Sequence, residues 1–527
     1  MGLLTEGGYP YAAGAGAAWC DQLVRGLGRH DFDVYALSRS ARQESGARHP
    51  LPGHVRQVRT APLWGDPDRL GPRAHGTYGR HERRRFGEHF AQLAAAVCAM
   101  GTGAAGEAGG AGPDAAGQGQ AYRFAGALYA LAGLARDAGG LGHVLRSEHA
   151  LRILESACRA PGAHPALYGT RVADLLAVTR LLERALRPLS LDWYGPGGRG
   201  LAAADLCHAA SAGPAALPGL LAKRFFGTPL LVTEYEMRLR AYYLNSAAGS
   251  AGLSLPVRTL LASFHRQLTA EVYGRADLVT AGDAHIRRWQ ERCGADRARL
   301  RTVHPGLDTR PYDAVAGARP PDGHGRTVVW AGDRADGPVL WQALAALRQA
   351  DPRVRLRVLG PPPPGETRPV DGVLFETAAG PAAYAAGAVV VLAGAADRFP
   401  LPLAEAMLCG RATVAPDTEA VREVLGGTGL LAAPGDPHAL ADACLALLDD
   451  PGLRARLGAA ARARALELFT EERYVTDFRG IYLELAPLAP VRHGGQDPCV
   501  PFAYAATAHP PPAPAPRATA PTRAGRP

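Results

Sequence analysis

Short, continuous apolar segments alternate with helical segments in two separate series along this chain of 527 residues. In the second series such segments occur at 328–331, 354–359, 389–392 and 412–415, and sequences typical of helices separate them. Strands that are apolar over their whole length are typical of parallel sheets with helices on both faces. The pattern therefore predicts an α/β protein whose second half contains a doubly wound parallel sheet.

The first series begins at the N-terminus and predicts a second sheet of the same kind. Strands at 3–5 and 34–37 flank a helix, and the alternation resumes near Leu206 and ends with a strand at 300–304. Between about 66 and 191 the sequence instead predicts successive helices. We interpret this stretch as a helical insertion in the N-terminal domain.

The chain therefore divides into two Rossmann-like domains, 1–307 and 308–469, followed by a further helix at 470–486. Residues 487–527 are rich in Pro and Ala and hold too little apolar sequence to pack, which predicts a disordered tail. Ligands of doubly wound sheets bind at the carboxyl ends of the strands. Two such domains facing one another predict a ligand-binding cleft between them.

The net charge of +9 raises the question of nucleic-acid binding, but the distribution of basic residues argues against it. Nearly all of them are arginines spread along the chain, and Lys223 is the only lysine. The densest run, at 80–86, fits a solvated helix face better than a phosphate-binding surface. We therefore expect no nucleic-acid partner.

Cysteine usage and hydropathy indicate the compartment. The eight cysteines lie far apart, with no CxxC pair or Cys/His cluster, which argues against a zinc site and a disulfide scaffold. No signal peptide is visible, and no segment approaches about 20 uninterrupted apolar residues, the length of a membrane-spanning helix. These features predict a cytoplasmic protein without an integral membrane segment. They leave open a peripheral association with a membrane or with a polysaccharide-synthesis machinery.

A pair of carboxylates in the segment 397–425 carries the strongest functional signal. Seven residues separate Asp397, in a loop that leaves a strand, from Glu405, in the first turns of the following helix. The backbone N–H groups between them and the positive end of the helix suit a bound anion. We therefore expect an anion to bind at the intervening residues Phe399, Pro400 and Leu401.

The segment resembles the E-x7-E signature of family-four retaining glycosyltransferases through its Phe-Pro-Leu, Glu-Ala-Met and Cys-Gly steps. This resemblance implies the GT-B fold, in which two Rossmann-like domains face a cleft and a last helix, here 470–486, crosses back to the N-terminal domain. It also implies that Glu405 accepts hydrogen bonds from the ribose of a nucleoside-diphosphate sugar, whereas Asp397 binds the hydroxyl groups of the sugar that is transferred. The resemblance implies neither a metal ion nor an organic cofactor.

Other segments extend the resemblance over nearly all of residues 1 to about 485. The sequences at 302–308 and 434–443 match the interdomain strand end and the penultimate helices of the same family. Those at 5–27 and 275–296 resemble a narrower branch, the Pel-polysaccharide type of glycosyltransferase. We therefore expect a nucleotide-sugar as the donor and a glycan or another molecule as the acceptor.

The site for the donor phosphates departs from the family pattern. The family places an Arg directly after the Gly that follows the first strand of the C-terminal domain, and that Gly is Gly332 here. Asp333 occupies the Arg position, and a carboxylate repels a diphosphate. Arg334 lies one residue later and could take the catalytic role after a one-residue shift, since Arg binds phosphate well. Both interpretations stay open.

Three further positions differ from the family. Its T-E-H-G turn, whose His faces the donor sugar, has Tyr235 at the catalytic position here, with Glu234 near the cleft. Its Gly-Gly phosphate loop reads Gly14-Ala15, and the added Cβ would crowd a donor close to the backbone. The first carboxylate, Asp397, is one methylene shorter than Glu. The alternative to an active enzyme is therefore a non-catalytic relative that binds a glycan, a nucleotide or a partner protein.

Two weaker signals remain. His208 lies at a strand end near the predicted cleft, and it fits a ligand contact and a packed core histidine equally well. A G-x-G that begins at Gly14 suggests a dinucleotide-binding oxidoreductase, but its sixth position is Trp19 and no acid ends the second strand. The sequence therefore favours a retaining hexosyltransferase over an oxidoreductase.

Overall fold

The computed structural model describes residues 1–11, 14–45, 49–64, 78–100, 115–195, 200–237, 239, 252–316, 325–331, 337–360, 371–376, 380–392, 394 and 399–489. Of the tail predicted at 487–527, the structure describes residues 487–489, which end a short 3-10 turn (Ala486–Leu488), and the residues from 490 onwards lie outside the described part. The strands are, in chain order, β1 (Gly2–Glu6), β2 (Phe32–Ser38), β3 (Val55–Pro62), β4 (Cys207–Ala209), β5 (Leu230–Glu234), β6 (Leu278–Ala281), β7 (Leu300–Thr302), β8 (Thr327–Ala331), β9 (Arg355–Leu359), β10 (Val373–Glu376), β11 (Val389–Leu392), β12 (Ala412–Pro416) and β13 (Leu430–Ala432).

These strands form two sheets, and all their described pairings are parallel. The N-terminal sheet has the order β3-β2-β1-β4-β5-β6-β7, and the C-terminal sheet has the order β10-β9-β8-β11-β12-β13. In each sheet the strand order reverses once, between β1 and β4 and between β8 and β11, and ligands of such sheets bind beside that reversal. The predicted fold class, two doubly wound parallel sheets, is confirmed.

The strands that the apolar pattern did not predict lie at sheet edges. β3, β10 and β13 carry mostly half-exposed or exposed side chains, whereas the central strands β8, β11 and β12 are buried throughout. Because helices cover an edge strand less completely, polar side chains interrupt the apolar run on which the prediction rests. At the other edge of the first sheet, β7 ends at Thr302, two residues before the predicted end.

Helices surround both sheets, and none of those in the described residues is both long and apolar enough to cross a membrane. They are α1 (Ala15–Gly26), α2 (Ala41–Glu44), α3 (Arg80–Cys98), α4 (Ala115–Ala138), α5 (Leu141–Leu145), α6 (Glu148–Cys158), α7 (Val172–Leu186), α8 (Leu217–Phe226), α9 (Leu255–Arg275), α10 (Ala284–Arg292), α11 (Arg310–Asp313), α12 (Gly337–Ala350), α13 (Pro381–Ala385), α14 (Leu401–Leu408), α15 (Glu419–Leu425), α16 (Pro437–Asp449), α17 (Pro451–Leu468) and α18 (Glu471–Leu485).

The helices α3 to α7 occupy the stretch interpreted as an insertion, and they share one core with the N-terminal sheet. Phe86 and Phe90 stack with ring centroids 5.2 Å apart, and Phe124 packs edge-on against Phe264 of α9 at 5.8 Å. The same cluster of buried residues contains Leu4 of β1. The helices therefore extend one face of the sheet rather than forming a separate core.

The last helix, α18, packs on the opposite face of the N-terminal sheet. Tyr474, Phe478 and Tyr482 belong to a buried cluster that also contains Trp19 of α1 and Leu3 of β1. The Tyr474 hydroxyl donates to the carbonyl oxygen of Trp19 at 3.1 Å. The chain therefore leaves the C-terminal domain and completes the core of the first one.

Candidate functional site

The carboxyl edges of the two sheets meet where α10 contacts α15. α10 follows β6 and α15 follows β12, so each helix begins at the carboxyl edge of its own sheet. The backbone N–H of Ala284, the first residue of α10, donates to Oε2 of Glu423 in α15 at 2.7 Å. Residues of both domains therefore border the space between the sheets at this point.

Charged side chains cross the same junction. Glu419 Oε2 lies 3.6 Å from Nδ1 of His285, and the other oxygen of Glu419 pairs with Arg288. Glu423 Oε1 lies 3.8 Å from Nε2 of His304, and burial raises the pKa of Glu423 above its ordinary value. Sequence reasoning missed both glutamates, although they belong to the motif segment, because only their contacts across the junction distinguish them from exposed helix residues.

Glu405 lies in α14, at the carboxyl edge of the second sheet, and its side chain is half-buried. The Tyr384 hydroxyl donates to Glu405 Oε2 at 2.6 Å, and Tyr312 makes a second side-chain hydrogen bond to the carboxylate. Burial raises the pKa of Glu405, and the two tyrosine hydrogen bonds oppose that rise. The result is a carboxylate with two protein donors whose remaining lone pairs can accept from a ligand.

Phe399 begins the turn that leads into α14, and its ring is buried. It lies 5.4 Å from the ring of Phe469 and 6.0 Å from that of His304, measured between centroids. The expected row of backbone donors is reduced here, because Pro400 has no N–H and the N–H of Leu401 donates to the Phe399 carbonyl oxygen at 2.9 Å. An anion at this turn would depend on the helix dipole and on other residues.

Four residues that the sequence assigns to the site of the sugar donor lie outside the described part of the chain: Gly332, Asp333, Arg334 and Asp397. Gly14 is described, and its φ of 142° is one that side-chain-bearing residues rarely adopt. Its carbonyl oxygen accepts from the N–H groups of Ala17 and Ala18 at 3.1 and 2.9 Å, which starts α1. Ala15 is the first residue of that helix. The loop before α1 therefore needs glycine at position 14 for its backbone conformation.

Glu234 and Tyr235 follow one another at the end of β5 but differ in their surroundings. Glu234 is buried, and its carboxylate accepts from the N–H of Ala212 at 3.1 Å and from the Tyr273 hydroxyl. The ring of Tyr235 lies edge-on to Trp19 with centroids 5.3 Å apart, and burial raises the pKa of its hydroxyl. Glu234 thus connects the end of β5 to neighbouring segments through its hydrogen bonds, whereas Tyr235 packs beside α1.

His208 lies in β4 and is fully enclosed. Its Nδ1 is 2.8 Å from the Tyr482 hydroxyl and its Nε2 is 2.7 Å from Oγ1 of Thr233, so both ring nitrogens have protein partners. Burial lowers the pKa of His208 to about 3. Of the two interpretations that the sequence allowed, the structure has the packed histidine, which joins the sheet to α18.

We expect His208 to make the protein less stable in mild acid. Because the pKa of His208 is lower in the folded protein than in the unfolded chain, the unfolded chain takes up the proton first as the pH falls. The contribution of His208 to stability is therefore complete above the unfolded pKa of 6.5 and is lost as the pH falls towards about 3. The free energy of unfolding should therefore fall by about 1.4 kcal/mol between about pH 7.5 and pH 5.5 through this residue alone. Urea unfolding of the wild type and of His208→Gln at both pH values measures this difference.

The control for that experiment is His438→Gln, at an exposed position at the start of α16. It should retain the wild-type dependence on pH, because the buried histidine is unchanged in it. A dependence in His208→Gln equal to that of the wild type would contradict the placement of His208 as a neutral core residue.

Two family models match the chain, one on each domain. Residues 1–298 match a family described as a domain of unknown function (DUF3492). Residues 326–450 match a family described as glycosyl transferases group 1. The first match covers the N-terminal sheet except its edge strand β7, together with the added helices, and the second covers the C-terminal sheet and the helix that carries Glu405.

Curated relatives are similar to part of the chain. D-inositol 3-phosphate glycosyltransferase of Salinispora arenicola is 28% identical over 312 residues, which cover 50% of this chain and 66% of that protein. N-acetyl-alpha-D-glucosaminyl L-malate synthase of Bacillus anthracis is 32% identical over 99 residues, 18% of this chain and 26% of that protein. The chain therefore spans less than two thirds of the length of each of these relatives.

A solved structure shares the fold over nearly the whole chain. The sucrose-phosphate synthase of Thermosynechococcus elongatus is similar with a TM-score of 0.51 and 16% sequence identity, over 92% of this chain and 99% of that one. Together with the two parallel Rossmann-like sheets, this likeness confirms the two-domain GT-B fold that the sequence predicts.

Proposed function

The chain belongs to the DUF3492 family of domains of unknown function, and from this premise and the group 1 match of its second half we propose that the protein is a glycosyltransferase. It transfers a hexose from a nucleoside-diphosphate sugar to a glycan-type acceptor, with retention of configuration. The reaction uses neither a metal ion nor an organic cofactor. The resemblance of 5–27 and 275–296 to the Pel-polysaccharide branch supports a polysaccharide acceptor.

The environment of Glu405 is the observation that carries this proposal. Two tyrosine hydroxyls favour its ionised form although burial opposes it, and an ionised carboxylate is an acceptor only. A ribose offers two neighbouring hydroxyl donors to such an acceptor. Glu405 also lies beside the reversal of strand order between β8 and β11, where doubly wound sheets bind nucleotides.

The reaction also requires positive groups near the leaving diphosphate, because negative charge grows on it as the bond to the sugar breaks. Positive side chains and helix termini that point at the leaving group lower the barrier, because they stabilise charge that grows in the transition state. In the proposal Arg334 supplies the side chain and the start of α14 supplies the dipole. Asp397 holds the hydroxyls of the transferred sugar, and the N-terminal domain forms the acceptor side of the cleft.

Isothermal titration of the purified protein with UDP, GDP and their hexose conjugates tests the donor class. We expect one nucleotide to bind with a stoichiometry of one, and its sugar conjugate to be hydrolysed or transferred when acceptor glycans are supplied. The anomeric configuration of the product, read by NMR, tests retention.

The results that count against the proposal are distinct. If the protein binds none of these nucleotides, the proposed donor site is wrong. If the product has the inverted anomeric configuration, the proposed retaining reaction is wrong. Tight binding of a sugar conjugate without any turnover would favour the non-catalytic relative considered from the sequence.

A further inference from the structure

Two tyrosines from different parts of the chain meet at one carboxylate. Tyr384 belongs to α13, and Tyr312 belongs to α11, at the start of the C-terminal domain. Tyr384 donates to Glu405 Oε2 at 2.6 Å, and Tyr312 makes a second hydrogen bond to the same carboxylate. Burial raises the pKa of both tyrosine hydroxyls, so they remain protonated donors.

Both tyrosine rings are fixed by packing. Tyr312 is 7% exposed and Tyr384 is 1% exposed, and both belong to the buried cluster beneath α14 that contains Leu403 and Met407. Neither hydroxyl can swing away without moving a buried ring. Glu405 itself is half-buried, so the residue is not fully enclosed by the protein.

The number of lone pairs left free on the Glu405 carboxylate matches the number of hydroxyl groups on the ribose of a nucleotide. An ionised carboxylate has about four lone-pair sites, and the two tyrosines use two of them. About two sites therefore remain, which equals the number of hydroxyl groups on a ribose. A carboxylate without the tyrosines would also accept, but in several orientations about its side-chain bonds.

We propose that Tyr312 and Tyr384 are positioning residues, which fix the Glu405 carboxylate so that its remaining lone pairs meet the ribose hydroxyls of a nucleoside diphosphate. This inference rests on the proposed function, because it takes a nucleotide as the ligand of Glu405. It predicts that the tyrosines act only on recognition of the ribose and not on recognition of the base or the phosphates.

The test compares a nucleoside diphosphate with its 2′,3′-dideoxy analogue, which lacks both ribose hydroxyls. Dissociation constants for both ligands, with UDP and with GDP as the parent nucleotide, are measured for the wild type, Tyr312→Phe, Tyr384→Phe and Glu405→Gln. Tyr78→Phe is the matched control, because Tyr78 is equally buried and its hydroxyl has no hydrogen-bond partner in the described structure.

We expect the wild type and Tyr78→Phe to bind the ribose form about tenfold or more tightly than the dideoxy form. Each of Tyr312→Phe and Tyr384→Phe should weaken binding of the ribose form by about three- to tenfold and leave that of the dideoxy form unchanged. Glu405→Gln should bring the ratio of the two dissociation constants close to one. A tyrosine that acted only on stability would change both ligands equally.

Other outcomes separate the inference from the proposed function. Unchanged ratios in both tyrosine variants, with a normal ratio in the wild type, would overturn the positioning role while the nucleotide site stands. A wild type that binds neither form of either nucleotide would overturn the proposed function, and the inference with it. Melting temperatures confirm folding, and if one tyrosine variant fails to fold, the ratio in the other decides.

Discussion

Replacing Phe478 by alanine is expected to lower the free energy of unfolding by about 3–5 kcal/mol, the usual cost of removing a buried phenylalanine ring. Phe478 is fully buried in α18, where its ring lies 5.0 Å from that of Tyr474 and 5.5 Å from that of His208 between centroids. The cavity would open between the last helix and the first sheet. Denaturant unfolding of the variant and the wild type measures the loss.

Leu483→Ala is the matched control, because Leu483 lies in the same helix and is 64% exposed. It should change the free energy of unfolding by no more than about 0.5 kcal/mol, as surface substitutions usually do. An equally small loss in Phe478→Ala would contradict the packing of α18 on the N-terminal domain. A chain cut before Thr470 should lose still more stability, since it removes every contact of this helix.

Replacing Glu405 by glutamine is expected to weaken binding of UDP or GDP by about 1.5–3 kcal/mol, or roughly one to two decades of affinity. Glutamine retains the volume and can still accept from Tyr384, but it lacks the charge that strengthens hydrogen bonds from a ribose. Because burial raises the pKa of Glu405, wild-type affinity should also fall in acid, at a higher pH than for an ordinary carboxyl group. Titration calorimetry over a series of pH values measures both effects.

Glu467→Gln is the control for charge, since Glu467 is exposed on α17 of the same domain. It should bind nucleotide as the wild type does. Unchanged affinity in a folded Glu405→Gln protein would mean that the nucleotide does not contact this carboxylate, and the donor site would have to lie elsewhere.

Most of the fold could be predicted because its signals are local. The central strands β8, β11 and β12 are buried on both faces, so each is an uninterrupted apolar run that needs no knowledge of its neighbours. The edge strands β3 and β13 escaped prediction because their burial depends on where the sheet ends. That position is a property of the assembled sheet and not of the segment.

In the candidate site, too, the sequence predicts the features that are close together in the chain and not the contacts between distant residues. The spacing of Asp397 and Glu405 is visible in the sequence because only seven residues separate them. The tyrosine partners of Glu405 are not visible in the sequence, since even the nearer one, Tyr384, lies 21 residues earlier and no periodic pattern connects it to Glu405. For His208 the sequence left two interpretations, and the deciding contact, with Tyr482, is 274 residues away in the chain.

The sequence by itself determined the two doubly wound sheets and the helix that carries Glu405. Those features follow from hydrophobic patterns and motif spacing within a few turns of chain, where covalent connection alone keeps the residues together. Only the tertiary structure decided that two tyrosine hydroxyls hold Glu405 and that α18 encloses His208. It also decided that α10 and α15 meet across the domains. Such contacts depend on burial of side chains from distant segments against one another, and packing of the whole chain sets that burial.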